Sequence, residues 1–186
     1  MSVHARLVDI LEELARNSAH VDDAQLSAAV GEIRQANHIF VAGAGRSGVA
    51  IRAFANRLLH LGKSVSMVGE ISSPHSHAGD LLIIGSGSGQ TESLVALARK
   101  AHDAGVRIVL ITMDDQSTIA QLAQVTVVLP GVSPKLRTAT AITSVQPMGS
   151  AFEQISLLTY DAMILELMDQ LEQTSQSMFP RHADLE

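Results

Sequence analysis

The sequence predicts an α/β fold, with a five-stranded parallel sheet covered by helices on both faces. Three observations carry that prediction. Five short runs, HIFVAG (38–43), SVSMVG (64–69), DLLIIG (80–85), RIVLIT (107–112) and VTVVLP (125–130), are almost continuously apolar, as strands buried on both faces are. Helical segments lie between them, and alternating strand and helix implies right-handed crossovers and parallel strands. Glycines and serines crowd the turns after the first and third runs, where a strand hands over to a helix.

Taken in order, Leu7, Ile10, Leu11 and Leu14 recur at helical spacing, so the chain begins with an amphipathic helix. In VDDAQLSAAVGEIRQA, Asp22 is the N-cap and Gln25 stands three residues on, as in a capping box. Leu26, Ala29, Val30 and Ile33 form the stripe of that second helix. The crossover helices are SGVAIRAFANRLLHLG (47–62), TESLVALARKAHDAG (91–105) and STIAQLAQ (117–124). The stretch from Gly69 to Gly79, rich in Ser, Pro and His, reads as a loop, and so does Gly131 to Gly149. A long helix then starts near Ser150. It is apolar on more than one side, which suits deep burial or a subunit contact, and the contact is preferred. The tail, a polar mixture after Pro180, is expected to extend along a surface. One domain is expected: N-terminal helices (1–36), βα core (37–130), loop and long helix (131–174), tail (175–186).

Composition narrows the function. The chain has 186 residues, a net charge of -6, 3% aromatic residues and no Trp, a poor match to a phosphate-backbone or base-stacking surface, so no nucleic-acid partner is expected. With no cysteine, disulfides, thiolate metal sites and Cys nucleophiles are excluded. The first residues carry charges throughout, and no uncharged apolar run reaches spanning length; no membrane partner is expected and the cytoplasm is the default location.

The turn VAGAGRSGVA (41–50) spells G-x-G-x-x-G at Gly43, Gly45 and Gly48, and Glu70 lies at about the distance of a ribose-binding acid, so a dinucleotide is one reading. It leaves the second turn, GSGSGQTES (85–93), unexplained. There Ser86 and Ser88 alternate with Gly85, Gly87 and Gly89, and Thr91 opens a helix. Glycine lets backbone approach an anion, and a helix start offers free N–H groups and positive dipole. Gln90 stands where a Walker loop needs Lys, which argues against a nucleoside triphosphate. Two such turns at the carboxyl edge of one sheet describe a cradle for a single phosphate, to which Gly45, Arg46 and Ser47 of the first turn also belong. Taken singly, each serine is as well a turn former or cap.

These stretches together resemble the sugar isomerase (SIS) domain family and, within it, the 6-phospho-3-hexuloisomerases. The carrying residues are GAGRSG (43–48), RLLHLG (57–62), GDLLIIGSGSGQT (79–91), QPMGSAFEQ (146–154) and RHADLE (181–186). Gln90 replaces a Glu common in the family, at a position that contributes mostly backbone. The resemblance implies a three-layer αβα sandwich of flavodoxin-like type, a homotetramer, and neither metal nor organic cofactor. It implies conversion of D-arabino-3-hexulose 6-phosphate to fructose 6-phosphate through an enediol, after a hexulose-phosphate synthase in the ribulose monophosphate pathway of formaldehyde fixation. Such a substrate is open-chain, because ring closure onto its carbonyl needs the phosphorylated oxygen.

The resemblance points to Glu153 as base. Ser150 to Glu153 is equally a capping box. His182, in the tail signature, is a candidate polarising or relay group, completing a neighbour's pocket. His60 is another, although a helix C-terminus also favours a His for structural reasons. His75 and His77 form an H-x-H pair without a visible third ligand, and Met148 reads as a packing residue. Competing functions are another sugar-phosphate isomerase, such as an arabinose 5-phosphate isomerase, a non-catalytic sugar-phosphate sensor, and a Rossmann dehydrogenase, for whose substrate domain the chain has no room.

Overall fold

The computed structural model describes residues 2–132 and 143–184; the middle of the Gly131–Gly149 loop and the last two residues of RHADLE lie outside them. Strands β1 (Ile39–Gly43), β2 (Val65–Met67), β3 (Leu81–Gly85), β4 (Arg107–Thr112) and β5 (Val125–Val128) form one sheet in the order β2-β1-β3-β4-β5. All four pairings are parallel. Between β1 and β3 the strand order reverses, and at such a switch point ligands enter open α/β sheets.

Successive side chains of a strand face opposite sides, and two cores result. Ile39, Val41, Leu81, Ile83, Val109 and Ile111 pack under α1 (Val3–Ser18), α2 (Asp23–Gln35), α3 (Gly45–His60) and α5 (Ser150–Gln170). Phe40, Ala42, Leu82, Ile84, Ile108 and Leu110 pack under α4 (Glu92–Asp103) and Ile119. The three layers expected from the sequence are therefore present.

Several local expectations are corrected. Asp22 does cap α2, accepting from the Ala24 amide at 2.8 Å, but Gln25 forms no capping box. Its Oε1 accepts from the Val128 amide instead, tying α2 to the outer strand β5. STIAQLAQ holds only one 3-10 turn, Ala120–Leu122, because its few residues serve as a bend into β5. β2 is shorter than SVSMVG, since Gly69 turns the chain away at φ +93°. Before the tail leaves along the surface it winds into α6 (Ser175–Met178), opened by a Thr174/Ser177 capping box, and a 3-10 turn at Phe179–Arg181; residues 182–184 are exposed, and His182 has extended backbone.

α5 is deeply buried along one side and exposes leucines on another. Phe152, Ile155, Tyr160, Met163 and Leu167 are buried, with Tyr160 stacked on Phe54 at 4.7 Å, while Leu158 and Leu165 are exposed. On α1, Leu7 and Leu11 are exposed as well. Leu11, Leu14, Ile155 and Leu158 line a shallow apolar groove between the two helices.

Candidate active site

Three helices begin beside one another at the carboxyl edge of β1 and β3. α3 starts at Gly45, in the left-handed region at φ +57°, after Ala44, whose side chain caps nothing. α4 follows Thr91, whose hydroxyl makes no cap hydrogen bond. α5 follows Gly149, which has no side chain to offer. First-turn N–H groups lack intrahelical partners, so three unsealed positive helix ends border a cleft of about 340 Å³.

Its walls are Gly45–Ser47 from the first turn, Gly85–Ser88 and Thr91 from the second, and Gly149, Phe152 and Glu153. Close packing explains the glycines. A Cβ on Gly43 would stand 2.9 Å from the Gly48 backbone, and one on Gly48 would stand 2.7 Å from the Gly43 carbonyl oxygen. The G-x-G-x-x-G spacing thus seats α3 directly on β1, whatever anion is bound. Gly87 is pressed between Met113 and Phe152, and its carbonyl accepts from the Thr112 hydroxyl at 3.2 Å. Ser86 is buried. The Ser88 hydroxyl accepts from the Gln90 amide at 3.3 Å.

Arg46 and Glu153 are the charged residues among those walls, and they meet. Arg46 Nε donates to Glu153 Oε2 at 2.6 Å; the carboxylate side chain is 19% exposed and the guanidinium 67%. The capping box read from Ser150 does not form, because Ser150 lies inside the helix and Glu153 reaches across to α3. The arrangement offers what proton abstraction beside an anion needs: a half-sheltered carboxylate, a cation on it, and neutral donors nearby.

Gln90 and Gly89 sit outside the walls. The Gln90 side chain accepts from the Thr118 hydroxyl at 2.7 Å, and Gly89 packs at φ +57° against Ser117. Thr112, Ser117 and Thr118 support the second turn and were not singled out in the sequence; a hydroxyl ending the fourth apolar run was the available signal. Met148 is corrected. It is 71% exposed at the cleft mouth, with φ 59°, rather than packed.

The sequence profile of the SIS domain matches residues 32–158. The chain belongs to the SIS domain family. Within it, the chain is 42% identical to a Bacillus subtilis protein named 3-hexulose-6-phosphate isomerase, over 97% of each chain. It is 38% identical to a Mycobacterium gastri protein of the same name, covering 95% of this chain and 88% of that one. A crystal structure from Methanococcus jannaschii, described as inferring a molecular function of 3-hexulose-6-phosphate isomerase, superposes with a TM-score of 0.84. It is 31% identical, and the match covers 98% of this chain and 99% of that one.

In this SIS chain the two histidine candidates are together but not at the cleft. His60 and His182 stack at 5.2 Å, with Phe179 behind His182. Arg181 fastens the tail there, donating to the His60 carbonyl at 3.0 Å. His60 is buried, and Arg57 Nη1 lies 3.3 Å from its Nδ1. Burial, then the Arg57 charge, then His182 lower its pKa below the ordinary value, so it is neutral at pH 7. The pair borders a second cleft of about 390 Å³ with Arg57, Asp161 and Leu165. It stands at the far end of α3 from Arg46; the fourteen residue steps from Arg46 to His60, at about 1.5 Å each, span roughly 21 Å.

His75 and His77 contact each other edge-on at 5.1 Å, and among the described residues no group of three His, Asp or Glu could hold a metal. Glu70 is exposed in the turn after β2, away from the cleft walls. No helix among the described residues is long and apolar enough to cross a membrane.

Proposed function

We propose that this chain interconverts D-arabino-3-hexulose 6-phosphate and D-fructose 6-phosphate. The observation carrying the proposal is one cleft in which three unsealed helix starts face a single carboxylate, Glu153, paired with Arg46. The names of the Bacillus and Mycobacterium relatives point to the same substrate.

The phosphate lodges against the N–H groups of the α3 and α4 starts and the hydroxyls of Ser47, Ser86, Ser88 and Thr91. Gly45 and Gly87 shape the backbone that surrounds it, and Gly89 and Gln90, behind the wall, carry that turn into α4. Glu153 removes the proton from C2, and the electron pair moves to the C3 carbonyl oxygen, giving the 2,3-enediolate. Glu153 returns the proton to C3 while the O2 proton passes to O3 and C2 becomes the carbonyl. One hydrogen has moved between carbons, one between oxygens, and no electrons have left the substrate. Arg46 uses Nε on Glu153 and turns its remaining N–H donors to the oxygen charge as it develops.

The oxygen-to-oxygen step needs a relay, and His182 or His60 supplies it from a neighbouring subunit, since both lie a helix length away in their own chain. The exposed leucines of α1 and α5 favour that assembly, a homotetramer. The enzyme works in the cytoplasm, in the ribulose monophosphate pathway, on the product of a hexulose-phosphate synthase. The test is incubation of the pure protein with enzymatically made hexulose phosphate, following fructose 6-phosphate without added metal or NAD. Turnover supports the proposal; binding without turnover makes the chain a sensor, and no binding overturns it.

A further inference from the structure

α5 carries Glu153 but has no side-chain cap on its first turn; the Ser150 amide donates to the Pro147 carbonyl, at 3.2 Å. Gly149 contributes no cap, and the residue before it, Met148, is held in the left-handed region at φ 59°. A non-glycine residue keeps such a conformation only where its surroundings impose it. Besides Arg46, the turn before the helix is held by a residue remote in sequence. Glu13 on α1 is a carboxylate only 3% exposed, and its Oε2 accepts from Gln146 Nε2 at 3.3 Å. Gln146 in turn donates its backbone N–H to the Ser144 hydroxyl at 3.1 Å, and Pro147 stiffens the step to Met148. Among the described residues, the other Glu13 oxygen and the Asn17 amide nitrogen one turn on are buried and have no hydrogen-bond partner. Burying a carboxylate in this way is costly, and a side chain kept only for packing α1 on α5 has no need of the charge.

We propose that Glu13 is a positioning residue for the isomerisation: through Gln146 it fixes the turn 145–149 and so the place of the Glu153 carboxylate. This rests on Glu153 being the base. The clasp touches the catalytic wall and leaves the phosphate-binding turns of β1 and β3 alone. Its loss should therefore appear in kcat and spare KM.

Purified Glu13→Ala, Gln146→Ala, Gln146→Glu and the exchange Glu13→Gln with Gln146→Glu would be compared with wild type in the isomerase assay and by hydrogen exchange of 145–153. Loss of the clasp should lower kcat about ten- to hundred-fold, the scale of a misplaced reacting group, with KM within about two-fold. The two alanine changes should not add, because they break one contact. Gln146→Glu should be the worst single change, since it sets two carboxylates together, and the exchange should recover most of kcat by restoring a donor to an acceptor. Exchange at 145–153 should quicken in each single variant and slow again in the exchange variant.

Unchanged kcat in folded alanine variants, additive losses, or an exchange variant no better than Gln146→Glu would overturn the proposal. If Glu13→Ala does not fold, the Gln146 variants decide. An inactive wild type would sink the substrate reading alone, and the hydrogen-exchange pattern would still decide whether the clasp holds the turn.

Discussion

At one end α3 meets the cleft with Gly45, Arg46 and Ser47, and no side chain seals its first N–H groups. At the other end it is closed off. Arg57 and His60 sit in the last turn, Arg181 donates to the His60 carbonyl, and His182 stacks over the His60 ring. The helix dipole favours an anion at the first end and cations at the second, and the sequence has supplied a waiting space at one and occupants at the other. One helix therefore provides a positive wall of the cleft at its start and a rigid bracket for the tail, a helix length away.

The largest effect that would sharpen this contrast belongs to Glu153→Gln. A positioned general base contributes about 10²- to 10⁴-fold, so kcat should fall by that much while fructose 6-phosphate affinity by calorimetry stays within about two-fold. A modest loss of kcat would move the base elsewhere. Next comes Ser88→Ala with Thr91→Ala. A hydrogen bond to a charged group is worth about 1.5–3 kcal/mol, so each change alone should raise KM roughly ten- to hundred-fold with a smaller change in kcat, and the two together more; an unmoved KM would empty the cradle of its phosphate.

His182→Ala should lower kcat about ten-fold if it relays a proton. Co-expressed Glu153→Gln and His182→Ala chains should regain part of the activity in mixed oligomers. No recovery would mean that each chain completes its own site, against the distance along α3.

The smallest effect is on stability. His60 has its pKa lowered in the folded chain, so below about pH 6.5 the unfolded chain binds more protons than the folded one, and stability falls as pH falls. Melting temperature should drop on acidification through that region, and His60→Gln should flatten the drop. A profile identical to wild type would show that burial and Arg57 do not hold this ring neutral.

The sheet was legible because its signal is local: each apolar run is its own evidence. That the two glycine-serine turns lie together at the sheet edge was legible for the same reason. What escaped were partnerships across the chain. Gln25 looks like a capping residue, yet its partner is Val128. Ser150 to Glu153 fits a capping box, yet Arg46 offers the carboxylate a charged donor at 2.6 Å, and a charged partner outcompetes a backbone amide. The tail hid its helix differently. Its capping box uses Ser177 where Glu or Gln is the familiar third-position residue, so the pattern passed unnoticed.

Gly43 and Gly85 are register partners on adjacent strands, although β2 and the Gly69–Gly79 loop come between them along the backbone. That excursion is a side road. Its outer bend, where Glu70 is exposed and Ile71 stands fully in solvent, is the natural place to cut a circular permutant or splice in a fluorescent reporter, because the two halves of the cleft floor are joined by the ladder and not by the road.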